Sequence, residues 1–95
     1  MIYEWDPKKA AQNQKKHRIS FDEAVSVFSD PFALTFDDPD HSTNEKRFIT
    51  IGTSMKGRIL FLSHADKGED HVRVISARGA TKSEAHVYQE SRQSS

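Results

Sequence analysis

The chain has 95 residues, of which 35% are hydrophobic and 29% charged, and its formal net charge is zero. This length suits one domain, 1–95, with a single modest core, and no window approaches the roughly 18 apolar residues of a membrane span. The absence of cysteine excludes disulfides and thiolate metal sites. Because the N-terminus lacks the basic segment and apolar core of a secretory signal, we expect a cytoplasmic protein that does not enter a membrane.

Charges are segregated along the chain. Every charged residue from Lys8 to Arg18 is basic, and every charged residue from Asp22 to Glu45 is acidic. Such blocks can build a basic and an acidic face on one small domain, or folding can interleave and cancel them. The neutral total itself argues mildly against a nucleic-acid-binding domain.

The N-terminal third predicts a short strand and two helices. Residues 2–5 alternate as a strand does. Asp6-Pro7 combines an N-cap with a first-turn proline and predicts a helix over 7–17. Ser20-Phe21-Asp22-Glu23 is a capping box ahead of apolar residues at helical spacing, which predicts an amphipathic helix that ends at Asp30-Pro31.

The remainder predicts a meander of strands followed by one helix. Thr81 and Glu84 form a second capping box, and the Ser- and Gln-rich tail, 89–95, is expected to fray. The fold class is therefore α+β, with the helices on one face of an antiparallel sheet and the other face partly open. The predicted strands span 32–36, 46–53, 58–64 and 71–77, and the predicted helix spans 82–91.

An acidic loop over residues 37–42 contains Asp37, Asp38, Asp40 and His41. Its spacing does not fit a calcium-binding EF-hand, which needs Gly at its sixth position and Glu at its twelfth. We expect a solvated loop, with neither a metal nor a cofactor. Alternatively, the loop could receive a basic segment of a partner.

Short motifs run along nearly the whole chain. They are Glu4-Trp5-Asp6-Pro7, Asn13, Lys16-His17, Ser20-Phe21-Asp22-Glu23-Ala24, Asp30-Pro31, Arg47-Phe48-Ile49, Ile51-Gly52, Ile75-Ser76-Ala77-Arg78, Ala80-Thr81, Glu84 and Tyr88. Together they resemble the motifs of BrnT-type toxins. This resemblance implies a RelE-like fold and the toxin half of a type II toxin–antitoxin pair, an endoribonuclease that cleaves cellular RNA and arrests translation. The implied partner is a BrnA-type antitoxin with a ribbon-helix-helix domain, in a heterotetramer that reaches DNA only through the antitoxin.

The sequence departs from the family pattern at two places. Arg18 stands where family members usually carry a glycine, so the first helix must end in a strained or different form. Ala85-His86 stands where arginines usually follow the glutamate of the last helix, which removes basic charge near the implied RNA face.

Metal-free RNA cleavage needs a base, an acid and cations that stabilise the charge on the phosphorane. Arg78 is the first candidate for a phosphate clamp, although an arginine paired with an acid on a neighbouring strand has the same sequence appearance. Arg47 and Arg73 lie on adjacent predicted strands and could converge with it. His17 is the candidate acid or base, or a helix-end histidine that interacts with free carbonyls. The predicted RNA-binding residues are Lys15, Lys16, Arg58, His64 and Tyr88.

The sequence leaves a second function open. A binding protein that has lost the nuclease role could keep the fold and act as corepressor with its antitoxin. The neutral charge, Arg18 and Ala85 favour this alternative, whereas Lys16, His17 and the three arginines favour the nuclease. DNA binding by this chain alone is poorly supported, because its most basic helix has no apolar face.

Overall fold

The computed structural model describes residues 1–38, 45–68 and 70–94. The predicted order of strands and helices is confirmed within these ranges. None of the helices described is long and apolar enough to cross a membrane. The elements are strand β1 (Ile2–Glu4), helices α1 (Pro7–His17) and α2 (Phe21–Val25), a 3₁₀ helix (Ser26–Ser29), strands β2 (Leu34–Asp37), β3 (Arg47–Thr53), β4 (Ile59–Asp66) and β5 (His71–Gly79), and helix α3 (Lys82–Ser94).

The five strands form one sheet in the order β1-β5-β4-β3-β2. Strands β2 to β5 pair antiparallel, as the meander prediction requires, whereas β1 pairs parallel with β5, so the sheet is mixed. Strand β1 covers only residues 71–73 of β5. The rest of that strand edge is left for helix α1.

Both ends of α1 follow from local sequence. The Asp6 carboxylate accepts a hydrogen bond from the Lys8 N–H at 2.8 Å, which caps the first turn. At the other end Arg18 adopts a left-handed conformation with φ of 58°, and its N–H donates to the Gln14 carbonyl. A glycine would adopt this conformation without steric cost, so the departure from the family pattern produces the expected strained helix end.

The second helix is shorter than its sequence predicts, since the α-helix stops at Val25 and continues only as the 3₁₀ helix to Ser29. Of the two hydrogen bonds of its capping box, one forms. The Ser20 hydroxyl accepts from the Glu23 N–H at 3.1 Å, but the Glu23 carboxylate turns inward to Ser54 and Arg58 instead of returning to Ser20. The Arg58 guanidinium and the buried Ser54 hydroxyl therefore compete successfully with the local cap.

The main core lies between the sheet and the two N-terminal helices. Alternate residues of β4 and β5 face α1 and α2, and they pack with Ile19, Phe21, Ala24 and Val27. Gly52 is required here, because a Cβ at that position would lie 2.8 Å from a Val27 methyl carbon. This side of the sheet is called the helix-covered face below.

The third helix corrects the prediction that all helices share one face. Thr53 lies at a position of β3 that alternates with Gly52, so its side chain leaves the opposite face, and its hydroxyl bonds the Tyr88 hydroxyl of α3 at 2.9 Å. Tyr88 also donates to the Asp30 carboxylate, whose Oδ2 accepts from the Thr53 N–H at 2.8 Å. Helix α3 therefore covers one end of the second face and leaves the other end open.

Candidate functional site

The uncovered part of the second face, called the open face here, contains the three candidate arginines. The strand register places Arg47 and Arg73 on either side of Ala65 in one row. It places Arg78 beside Phe61, four residues earlier on β4, which corresponds to roughly 13 Å along the strand. The structure thus brings Arg47 and Arg73 together and sets Arg78 apart, next to α3.

A cavity of about 420 Å³ opens between these two rows. Arg47 and Phe61 both line it, and Arg78 stacks on the Phe61 ring without lining the cavity itself. Between Arg47 and Phe61, the cavity is lined by apolar side chains and serine hydroxyl groups. The lining residues are Asp38, Arg47, Ile49, Phe61, Ser63, Ile75 and Ser76.

A β-bulge connects this cavity to the first helix. The register of β4 and β5 shifts between Ser63 and His64, which leaves an extra residue at Ile75. A second cavity, of about 260 Å³, lies between α1 and β5, and its lining includes Lys16 and His17 together with the same Ile75 and Ser76. The candidate acid or base and the candidate cation Arg47 therefore line two adjacent cavities that share Ile75 and Ser76.

Asn13 fixes α1 against this part of β5. Its buried amide nitrogen donates to the carbonyls of Ile19 at 2.9 Å and Ala77 at 2.8 Å, and its oxygen accepts from the Ala77 N–H at 3.0 Å. The side chain thus replaces the missing neighbouring strand at Ala77, directly after the bulge. This places the end of α1, with His17, beside Ser76.

Arg78 has a carboxylate partner, but this acid is Glu84 of helix α3, whereas the structural interpretation of the sequence expected an acid on a neighbouring strand. Its two terminal nitrogens donate to the two oxygens of Glu84 at 2.9 Å each, and its guanidinium lies 4.0 Å from the centre of the Phe61 ring. Hydrogen bonds from Arg78 in particular hold the pKa of Glu84 below its ordinary value. Glu84 also closes the predicted capping box, since it accepts from the Thr81 N–H at 2.9 Å.

Arg73 and Arg47 share a different acid, Glu45. Arg73 donates a hydrogen bond to the Glu45 carboxylate, whereas Arg47 Nε lies 3.8 Å from the same oxygen. Lys67 Nζ lies 3.9 Å from the other oxygen. The side chains of Arg47, Arg73 and Glu45 are about a quarter to a third exposed, so solvent reaches all three.

Two predicted RNA-binding residues are buried elsewhere. His64 belongs to the helix-covered face, where it is 3% exposed and its Nε2 lies 2.8 Å from the Thr50 hydroxyl. Burial lowers its pKa, and Asp66 opposes this only in part. Tyr88 is fully buried under α3, and burial together with the Asp30 carboxylate raises its pKa. Neither ring can stack on an RNA base in this conformation.

Arg58, too, lies away from the open face on which RNA binding was predicted. It lies before β4 and donates to Glu23 of α2 from Nε at 2.9 Å, on the helix-covered face. This hydrogen bond is the main reason why the pKa of Glu23 is lowered, with Ser54 adding to it. Lys15 and Lys16 are exposed on α1, and Lys16 lines the cavity that contains His17.

The sequence interpretation missed Glu45, Lys67 and Ser76. Glu45 precedes Arg47 by two positions, so the alternation of a strand could have placed both on one face. The bulge that exposes Ser76 left no signal in the sequence. The acidic loop of residues 37–42 falls mostly outside the described residues, and within the part of the chain that is described no group of three or more His, Asp or Glu could hold a metal ion.

The α+β fold has an open sheet face that carries three arginines, with a histidine at its margin, and this arrangement fits a small toxin that acts on RNA. Comparisons with known proteins identify the class of toxin. The family model of the ribonuclease toxin BrnT, of type II toxin–antitoxin systems, matches residues 5–84. The chain therefore belongs to this family and is the toxin component of such a pair, with an antitoxin as its partner. The resemblance seen in the short motifs is confirmed.

The fold agrees with that assignment. The chain is similar to the Brucella abortus ribonuclease toxin BrnT, known from a crystal structure at 1.1 Å resolution, with a TM-score of 0.66 and 24% sequence identity. The alignment covers 86% of this chain and 100% of that one. No curated protein sequence matches the chain.

Proposed function

We propose that the chain is an endoribonuclease that cleaves cellular RNA across the open face without a metal ion, and so inhibits translation in the cytoplasm. The observation that supports this most directly is that the His17 cavity and the Arg47 cavity share Ile75 and Ser76 in their linings. A group that can transfer a proton and a group that binds phosphate thus line adjacent cavities.

RNA carries its own nucleophile, so the protein needs only to move protons and stabilise charge. In the proposed reaction His17 accepts the proton of a 2′-hydroxyl or donates one to the leaving 5′-oxygen. Arg47 stabilises the phosphorane, because a guanidinium stays charged and offers paired donors to phosphate oxygens. Arg73 binds the same phosphate as Arg47, Arg78 binds a neighbouring phosphate, and Lys15 and Lys16 attract the strand.

The antitoxin of this pair is proposed to be of BrnA type, with a ribbon-helix-helix domain. In a heterotetramer, that domain would bind DNA and this chain would not. The fold is proposed to be RelE-like, as the similarity of the motifs implies.

One observation favours the second candidate function, a catalytically weak corepressor. Arg78 and Arg73 both hold carboxylates, Glu84 and Glu45, in positions that phosphate would take. A chain that kept such pairs closed would bind its antitoxin and DNA operator in the complex but cleave RNA slowly.

Purified toxin, freed of antitoxin, tests the proposal when it is incubated with cellular RNA in EDTA. We expect wild type to cleave, and we expect Arg47→Ala and His17→Ala each to reduce the rate by about 10²-fold, the usual cost of losing such a group. Lys46→Ala is the matched control, because Lys46 neighbours Arg47 in sequence but lies near Phe48 of the helix-covered face.

Intact RNA after incubation with folded wild type would contradict the proposal and favour the corepressor. Cleavage that needs an added metal ion would contradict its metal-independent part alone. Equal rates for Arg47→Ala and Lys46→Ala would remove Arg47 from the site.

A further inference from the structure

We infer that Arg47, Lys67 and Arg73 form a phosphate-binding site, which the Glu45 carboxylate occupies in this structure and which RNA takes by displacing that carboxylate. The inference rests on the proposed function, since the ligand is a phosphodiester of the RNA strand. It adds Lys67 as a ligand and assigns Glu45 as the competitor.

The position of the three cations supports a shared anion site. Arg47 and Arg73 flank Ala65 on β4, and Lys67 directly follows that strand. They therefore come from three neighbouring strands or strand ends, and all three approach the same carboxylate. Cations that repel one another remain together here because an anion lies between them.

Among the described contacts, the Glu45 carboxylate is hydrogen-bonded to Arg73, whereas it lies 3.8 Å from Arg47 Nε and 3.9 Å from Lys67 Nζ, beyond hydrogen-bond length. The Nε of Arg73 is buried and has no hydrogen-bond partner among the described residues. A tetrahedral phosphate offers oxygens in more directions than a planar carboxylate, so it can accept from the Nε of Arg73 and from Lys67, which Glu45 does not.

Displacement of Glu45 is energetically accessible. Its side chain is 26% exposed, and ion pairs that solvent reaches contribute little to stability. Charge on the RNA can therefore compensate for the loss of the pair. Glu4 stands opposite Arg73 in the register of β1 and β5, but its carboxylate lies 3.2 Å from His71 Nε2.

Binding of a single-stranded RNA oligonucleotide with 2′-deoxy substitutions, which cannot be cleaved, measures the competition directly by fluorescence anisotropy. We expect Glu45→Gln to tighten binding by about five-fold, the equivalent of one exposed pair. Glu90→Gln is the control for the change in charge, because Glu90 is an exposed acid on α3 that pairs with His86 at 3.2 Å. It should change affinity by less than about two-fold.

Lys67→Gln provides the second variant, since its 41% exposed side chain can be replaced without loss of packing. We expect binding to weaken about three-fold and the slope of log affinity against log salt to fall by about 0.7, as for one lost phosphate contact on a single strand. Unchanged or weaker binding by Glu45→Gln, or an unchanged slope for Lys67→Gln, would overturn the inference while wild type binds. A folded wild type that binds no RNA at low salt would instead overturn the proposed function and this inference with it.

Discussion

Two glutamate–arginine pairs lie on opposite faces of the sheet, and they differ in how deeply the carboxylate is buried. Glu23, paired with Arg58 on the helix-covered face, has a side chain that is 1% exposed, whereas Glu45, paired with Arg73 on the open face, is 26% exposed. The arginines are similar in exposure, at 43% and 31%. The burial of the carboxylate therefore distinguishes a pair that holds the fold from a pair that a ligand can open.

Hydrogen bonding follows the same division. Glu23 accepts from the Ser54 hydroxyl at 2.7 Å as well as from Arg58, so helix α2 is tied to the turn between β3 and β4. Among the described residues, Glu45 accepts a hydrogen bond from Arg73 and lies beyond hydrogen-bond length from Arg47 Nε and Lys67 Nζ. A complete set of bonds around a buried acid stabilises one conformation, while an incomplete set at the surface leaves donors for another anion.

Arg78 tests this difference between the faces most sharply. It lies on the open face, yet both of its terminal nitrogens are hydrogen-bonded to Glu84. We expect Arg78→Ala to reduce RNA cleavage by about 10²-fold, since its guanidinium stacks on Phe61, which lines the cavity, and can bind a phosphate next to it. Arg58→Ala should change cleavage by the folded protein less than about two-fold, although both variants lose an arginine. Single-turnover rates in EDTA at matched folded fractions measure both.

Preserved cleavage in Arg78→Ala, with an unchanged melting temperature, would show that a complete pair is structural even on the open face. Equal losses in the two variants would show that the faces do not differ in function.

Glu23 and Glu45 should also differ in how much each contributes to the free energy of unfolding. We expect Glu23→Ala to lower the free energy of unfolding by about 2 kcal/mol, because it leaves a buried Ser54 hydroxyl and removes the partner of Arg58. For a domain of this size that corresponds to a fall in Tm of about 10 °C. Glu45→Ala should change the free energy by no more than about 0.5 kcal/mol. Urea denaturation followed by circular dichroism compares them, and similar losses would contradict the division.

Local sequence signals predicted the elements well, and long-range contacts decided what the sequence could not. Asp6-Pro7 and the Thr81–Glu84 box each define a helix start with residues a few positions apart, so the prediction needed no tertiary information. The face that α3 covers depends on the bond between Tyr88 and Asp30, which are 58 positions apart. No local pattern encodes such a contact.

The site was predictable in part for the same reason. Arg47 and Arg73 share one row as the prediction required, but they lie on β3 and β5, on either side of β4, and not on adjacent strands. The register set Arg78 apart, and the turns alone did not encode that register. His64 was the avoidable error of interpretation, because it shares the parity of Leu60 and Leu62 and must therefore face inward with them. Its burial places a titratable group in the core of the helix-covered face.

That buried histidine predicts the smallest effect, a dependence of stability on pH near neutrality. Burial lowers the pKa of His64 below its ordinary value of 6.5, so the unfolded chain binds a proton at a higher pH than the folded chain does. As the pH falls from 7.5 through 6.5, the folded state should therefore lose stability, by about 1 kcal/mol per unit at most, until the lowered pKa is reached. His64→Gln keeps a polar group near Thr50 and should flatten this slope, whereas His86→Gln, which changes a histidine that is 69% exposed, should leave it unchanged. Urea denaturation at pH 5.5, 6.5 and 7.5 measures the slopes, and an equal slope in His64→Gln and wild type would show that protonation of this ring does not oppose the fold.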